Sequence, residues 1–267
     1  RAIYRGIARY LEGEGVTFLP EPPQAVSLRN AETGLALSWE AGWAGDLWGD
    51  EPVDYLVQTS ADGRAWSAGV AVTGLSTTVN AEFGELVFAR VVARNGGGVS
   101  FPSAIVAAQR GEGVPILLVN AFDRLDSGQL EVEDLGGALD EVARMDLARI
   151  NPGDILVPHA LAIHGAGWPF DSAEDDAVGS FDPYALVVWA TGEESTIDAT
   201  FDAEQQAAIR AFVADGGALW TSGAEILWDL DEKGSADDAA FAAEVLGATY
   251  AADSCDCGRA TGESVLD

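Results

Sequence analysis

Leu86-Val87-Phe88-Ala89-Arg90-Val91-Val92-Ala93-Arg94-Asn95, followed at once by Gly96-Gly97-Gly98, is rich in β-branched and apolar side chains and stops at a glycine turn, which predicts a long strand of an antiparallel sheet. Reading outward, turn signals recur about every ten residues, the rhythm of a β-sandwich. Upstream lie Ala25-Val26-Ser27-Leu28, then Leu35-Ala36-Leu37-Ser38-Trp39 with Leu35, Leu37 and Trp39 on one face. Asp54-Tyr55-Leu56-Val57-Gln58-Thr59-Ser60 follows and turns at Asp62-Gly63, a strong hairpin dipeptide, into Trp66. Thr77-Thr78-Val79 precedes the long strand, and a last strand is expected near Ala104-Ile105-Val106. Residues 24–109 are therefore expected to form an all-β domain.

Before this region, residues 1–12 space Ile3, Tyr4, Ile7, Tyr10 and Leu11 as one helical stripe with Arg1, Arg5 and Arg9 opposite. A helix this short is marginal alone, so it is expected to be the final helix of a missing upstream domain. Gly13, Gly15 and Pro20-Glu21-Pro22-Pro23 make residues 13–23 an extended linker. After the sandwich, residues 114–267 alternate buried strands with helices. Ile116-Leu117-Leu118-Val119-Asn120, Ala185-Leu186-Val187-Val188-Trp189-Ala190 and Ala218-Leu219-Trp220-Thr221-Ser222 read as strands of a parallel sheet covered on both faces. Residues 154–166 read as a helix. Asp202-Ala203-Glu204-Gln205 is a capping box opening another, with Ile209, Phe212 and Val213 inward and Gly216-Gly217 as its stop. Ser235-Ala236-Asp237-Asp238 opens a further helix through Phe241, Val245 and Leu246 to Gly247. The expected architecture is a sandwich followed by a three-layer α/β domain with a parallel sheet. With only three clear strands before Asp267, where a sheet usually has about five or six, more chain is expected to follow.

The chain has 267 residues and a formal charge of -30. Most of the excess lies late: residues 111–267 hold 32 Asp and Glu against 6 Lys and Arg, residues 21–110 hold 10 against 5. Such a surface repels phosphate backbones and anionic bilayers, which sets nucleic acid and membrane surfaces aside. No apolar run reaches the ~18 residues needed to span a bilayer, so no membrane insertion is expected.

In parallel sheets ligands bind beyond the carboxyl ends of the strands. The loops there carry Glu193, Glu194, Ser195 and Thr196 after the second strand and Glu225 after the third. Glu193, Glu194, Ser222 and Glu225, with Asp229 one helical turn on, are the candidate ligand-binding residues. Paired carboxylates can exchange protons or hold a hard cation, so a glycan or Ca²⁺ is the class they suit; the alternative is that the serine, threonine and aspartate cap helices while the glutamates are solvated. His159 and His164, the two histidines, stand i, i+5 apart, outside the i, i+4 spacing of helical zinc sites, and read as structural or surface residues. Cys255-Asp256-Cys257 has no second pair, which leaves a local disulfide, bridges to absent segments or free thiols open and excludes a zinc ribbon within this chain. No metal site is expected here.

Trp39, Tyr55 and Val57, Asp62-Gly63 with Trp66, and Phe88, Val91, Ala93 and Asn95 before a glycine turn resemble a fibronectin type III domain. The turn carries glycines where some members carry an adhesive Arg-Gly-Asp, so integrin-type adhesion is not implied. Leu219-Trp220-Thr221-Ser222-Gly223-Ala224-Glu225 resembles the elbow of the class I glutamine amidotransferase-like (flavodoxin-like) fold. The resemblance would put the nucleophilic cysteine at Gly223, and no histidine follows it; Ser222 is the remaining candidate of a degenerate hydrolase. Read together, residues 116–124, Gly167-Trp168-Pro169-Phe170-Asp171-Ser172, Gly192-Glu193-Glu194-Ser195-Thr196 and Ser222-Gly223-Ala224-Glu225-Ile226 with Trp228-Asp229-Leu230 look like a domain of large exported bacterial proteins. There it follows a fibronectin type III domain and a zinc-dependent N-acetylmuramoyl-L-alanine amidase domain, often with a golvesin-like domain after it. Arg1 to Tyr10 is similar to the last helix of that amidase domain. The resemblance implies a secreted, non-catalytic accessory region that spaces or positions an amidase on peptidoglycan. The zinc and its ligands would lie upstream. A glycan- or Ca²⁺-binding module is the first alternative reading and a hydrolase using Ser222 the second. The oligomeric state is not legible.

Overall fold

In a computed structural model that describes residues 2–13, 15–45, 48–122, 124, 131–137, 141–144, 154–193 and 199–252, residues 24–109 form two facing sheets. The first is β1 (Gln24–Ala31), β2 (Gly34–Glu40) and β5 (Ser76–Val79). The second is β4 (Val70–Val72), β3 (Asp54–Ser60) and β6 (Leu86–Asn95), closed by a strand broken into β7 (Gly98–Pro102) and β8 (Val106–Gln109). All these pairings are antiparallel, as turn-rich, alternating sequence dictates. Leu35, Leu37 and Trp39 point inward as the alternation predicts and meet Tyr55, Val57, Val91 and Ala93. Trp39 and Tyr55 pack edge to face, 5.4 Å between centroids. β4 is only three residues long, with Val70 exposed and Val72 half-buried against the core, too short a run to announce a strand.

β6 departs from alternation in its first half, where Leu86, Val87, Phe88 and Ala89 are all buried. Val87 and Ala89 face the sandwich core while Leu86 and Phe88 enter a second cluster on the outer face. That outer cover is α2 (Leu156–Gly165), whose Leu156, Val157 and Ala160 pack on Phe88, Ile105, Ala107 and the strands beyond.

The N-terminal helix α1 (Ala2–Glu12) forms as expected. Tyr4 and Arg5 turn onto Phe18, and Ile3, Ile7, Tyr10 and Leu11 stay exposed. The segment after α1 is extended but also pinned: Phe18 donates its N–H to Asp50, and Asn95 Nδ2 donates to the Phe18 carbonyl at 2.8 Å. This explains the glycine turn after β6, since a Cβ at Gly97 would stand 2.3 Å from the Thr17 carbonyl oxygen.

Beyond the sandwich, β9 (Ile116–Asn120), β12 (Phe170–Glu174), β13 (Leu186–Glu193) and β14 (Ala218–Ala224) run parallel in the order β14-β13-β9-β12. A short antiparallel pair, β10 (Glu131–Asp134) and β11 (Glu141–Arg144), stands apart from this sheet. α3 (Ala203–Ala214), a wide π-type turn at Trp228–Lys233 and α4 (Ala236–Phe241) cover one face through Ile209, Leu230 and Phe241. α2 lies on the other face. The expected capping box is present on Asp202 with Gln205, and the expected helix start at Ser235 also forms one, with Asp238; Gly247 ends the last helical turn in the left-handed region. Among the described residues no helix is long and apolar enough to cross a membrane. Glu194, Ser195, Thr196, Cys255 and Cys257 lie outside the described residues.

The strand that sequence reading did not anticipate, β12, joins the two regions. One edge pairs with β9, and the other pairs antiparallel with both β8 (Phe170 with Gln109) and β1 (Ser27 with Ala173, Leu28 with Ser172). Pairing thus runs without a break from β14 to β4. A short strand whose Asp171, Ser172 and Glu174 are polar carries no hydrophobic period, which is why only its neighbours pointed to a structure there.

Candidate functional site

The carboxyl end of the parallel sheet brings the expected residues together only in part. Glu193 closes β13 with its backbone opposite Ala224, next to Glu225, which turns the chain with φ of 68°. Asp229 does lie one turn beyond Glu225, its N–H bonded to the Glu225 carbonyl at 2.8 Å. Its carboxylate is occupied by the Thr200 N–H at 2.9 Å, a capping role. Among the described residues no group of three or more His, Cys, Asp or Glu is placed to hold a metal ion.

Ser222 is engaged differently. Its side chain lies 3.0 Å from Nε2 of His159 on α2, and Nδ1 of the same ring lies 3.0 Å from the Ile155 carbonyl. A carbonyl can only accept, so Nδ1 carries the proton of the neutral ring and Nε2 presents its lone pair to the Ser222 O–H. The histidine precedes the serine in the chain, since base and nucleophile meet in space and not in chain order. Position 223 is closed to any side chain: a Cβ there would sit 1.8 Å from Thr191 Oγ1 and 2.8 Å from the Gly192 carbonyl oxygen.

His164 reaches the other way, its Nδ1 2.6 Å from Gln109 Oε1 on β8. Five residues are about 140° around a helix, so the i, i+5 spacing lets α2 grip the sheet on both flanks.

Register aligns the remaining polar groups. Glu174, Asn120, Ala190 and Ser222 pair successively across β12, β9, β13 and β14, so they form one row on the face that α2 covers. Asn120 is 3% exposed, and neither atom of its amide has a hydrogen-bond partner among the described residues. Next to this row, between α2 and the sheet, runs an open groove of about 450 Å³ lined by Ile116, Ile163, Trp168, Leu186, Val188 and Trp220 among other apolar residues. Trp220, 53% exposed, lies 5.6 Å from the His159 ring.

At the seam, Asp171 accepts from Asn30 N at 2.7 Å, Asn30 Nδ2 at 2.9 Å and the Tyr184 hydroxyl at 2.8 Å. Arg29 Nη1 donates to that hydroxyl, and Nη2 donates to the carbonyls of Ala177 and Val178. Burial, with the Asp171 carboxylate beside it, raises the Tyr184 phenol above its ordinary range. Glu174 accepts Val26 N at 2.6 Å, which favours its charge, but burial wins and pushes it up to about 7. Asp175 is pushed up to about 6 by burial and by Asp176, against the Gln205 amide that stabilises its charge. None of these groups is among the candidate site residues of the sequence; Asp171 and Glu174 stand on β12, which has no hydrophobic period to mark it.

No family model and no curated protein matches the chain. Among solved structures it is similar to domains A168–A170 of titin, at 24% identity over 33% of this chain and 30% of that one, with a TM-score of 0.28. It thus spans less than a third of that titin fragment. A human fibronectin type III domain, from fibronectin type III domain containing protein 3, is 23% identical over 38% of this chain and 96% of that one, with a TM-score of 0.29. An Fn3-like protein from Clostridium thermocellum is 19% identical over 35% and 95%, with a TM-score of 0.30. By its own strand order, β1-β2-β5 facing β4-β3-β6 with β7 and β8, about a third of this chain is a fibronectin type III-like β-sandwich.

Proposed function

We propose that the chain is an accessory arm of an exported peptidoglycan hydrolase, setting the distance and angle at which an N-acetylmuramoyl-L-alanine amidase domain meets the cell wall without itself cutting the wall. The seam carries this reading. Domains joined by an ordinary linker move relative to one another by default, whereas here β12 is hydrogen-bonded into both regions and α2 packs across them. Burying Asp171 is tolerable because three donors satisfy it, and such a network fixes one geometry. The exposed stripe of α1, Ile3, Ile7, Tyr10 and Leu11, suits packing against another body. We assign the zinc to that amidase domain and the arm to the outside of the cell. We also infer that the four parallel strands with helices on both faces belong to a flavodoxin- or amidotransferase-like three-layer α/β domain.

The test is co-sedimentation of the 267-residue chain with insoluble peptidoglycan, with soluble muropeptides followed in the same tube. Retention without release is expected. Release of muropeptides overturns the reading, and a chain left wholly in the supernatant cuts it back to a spacer that does not touch the wall.

A further inference from the structure

We propose that Ser222 is an acyl-accepting nucleophile with His159 as its base and the Asn120 amide as its oxyanion donor, and that it takes esters of apolar acyl groups. The inference is independent of the positioning role. Three observations converge on one row of one sheet face. His159 is held by the Ile155 carbonyl in the tautomer that leaves Nε2 free to take the Ser222 proton. Asn120, two strands away in register, is a buried amide with both its atoms unpartnered among the described residues, a costly state that asks for a role. Between them stands Ala190, the smallest side chain of the row, and we place the reacting carbonyl group over it. Strands are spaced about 4.8 Å apart, so the backbones of Ser222 and Asn120 are roughly 10 Å apart, a span that a serine, a carbonyl and an asparagine amide fill.

The substrate class follows from the groove. Val188 and Trp220, which line it, pair with each other one step before the Ala190–Ser222 pair on the same face. An acyl chain that passes Val188 and Trp220 enters a groove whose lining is apolar. Ser222 Oγ attacks that carbon as its proton passes to Nε2. The bond to the alcohol oxygen then breaks, and the leaving alcohol takes the proton from His159. Water attacks the acyl-serine next, giving a proton to Nε2 that returns to Ser222 Oγ as the carboxylic acid departs. A carbonyl in place of a carboxylate behind the ring stabilises the imidazolium less, so slow turnover is expected.

The experiment treats the folded chain with alkyl fluorophosphonates of two and ten carbons, reading adducts by intact mass and their position by peptide mapping. A single adduct on Ser222 is expected, forming roughly tenfold faster or more with the longer chain. His159→Gln should slow it by about 10²-fold or more, and Asn120→Ala by about 10²-fold. Urea midpoints show whether each variant is folded. Trp220→Ala, at an exposed position, keeps the test decisive if the buried variants unfold, because it should abolish the chain-length preference. No adduct on the wild type, an undiminished rate without His159, or indifference to chain length overturns the proposal.

Discussion

Replacing Glu174 with glutamine should make the protein more stable above neutral pH and change it far less at pH 5. The carboxyl of Glu174 is pushed up to about 7 from an ordinary 4.5 because β12 buries it. Between those values the unfolded chain has released the proton and the folded chain still holds it. The folded state therefore binds more protons, and stability falls as pH rises through that window, with the loss complete above about 7. At ~1.36 kcal/mol per pH unit the window of about 2.5 units is worth roughly 3 kcal/mol, and the solvent that reaches this half-buried side chain trims it toward about 2. Glutamine keeps an oxygen to accept Val26 N, now at 2.6 Å, and does not titrate. Paired urea unfolding at pH 5, 6, 7 and 8, followed by tryptophan fluorescence, gives the difference between the two proteins. Asp175, pushed up to about 6, makes both decline, so only the difference reports on Glu174. A gap that stays constant from pH 5 to pH 8 would refute the reasoning.

Asp171→Ala strips the acceptor from Asn30 N and the Tyr184 hydroxyl and leaves Asn30 Nδ2 with the Gln109 carbonyl; a loss of about 2–4 kcal/mol in urea unfolding is expected, and a loss below about 1 kcal/mol would mean that water replaces it. Gly63 has φ of +71° and a Cβ there would lie 2.7 Å from Val157 Cγ2 on α2. Gly63→Ala should cost about 1–3 kcal/mol, and combining it with Val157→Ala should give a total smaller than the sum of the two single losses. Strict additivity in that cycle would show that α2 does not rest on the Asp62-Gly63 turn. Asp202→Ala removes the capping box of α3 and should cost about 1 kcal/mol, read as a lowered thermal midpoint.

What was legible in the sequence was whatever repeats. The alternation of Leu35, Leu37 and Trp39, the capping box at Asp202 and the apolar strands at Ile116 and Val187 all appear where their patterns put them. Features that depend on a partner distant in the chain were not. β12 has no period of its own and exists because β9, β1 and β8 offer it edges on both sides. The apolar, non-alternating start of β6 signals a second cover, but nothing in Leu86 to Ala89 says that α2 supplies it. At the candidate site Ser222 was visible as a residue type in a suggestive turn. Its base is not legible, because His159 precedes it in sequence by 63 residues and only the fold brings the two together.

The placement of β12 also bears on the order in which the molecule can be assembled. When the last sandwich strand, ending at Gln109, has been synthesised, the β1 and β8 edges still lack their neighbour and the outer side of Phe88 lacks its lid. Both wait for Leu156 to Glu174 to emerge. Open strand edges beside uncovered aromatic surface invite pairing with another chain, so a fragment cut after Gln109 should aggregate where the longer chain does not. The sandwich has the strands of a self-sufficient domain, yet it completes its surface only with chain made well after it.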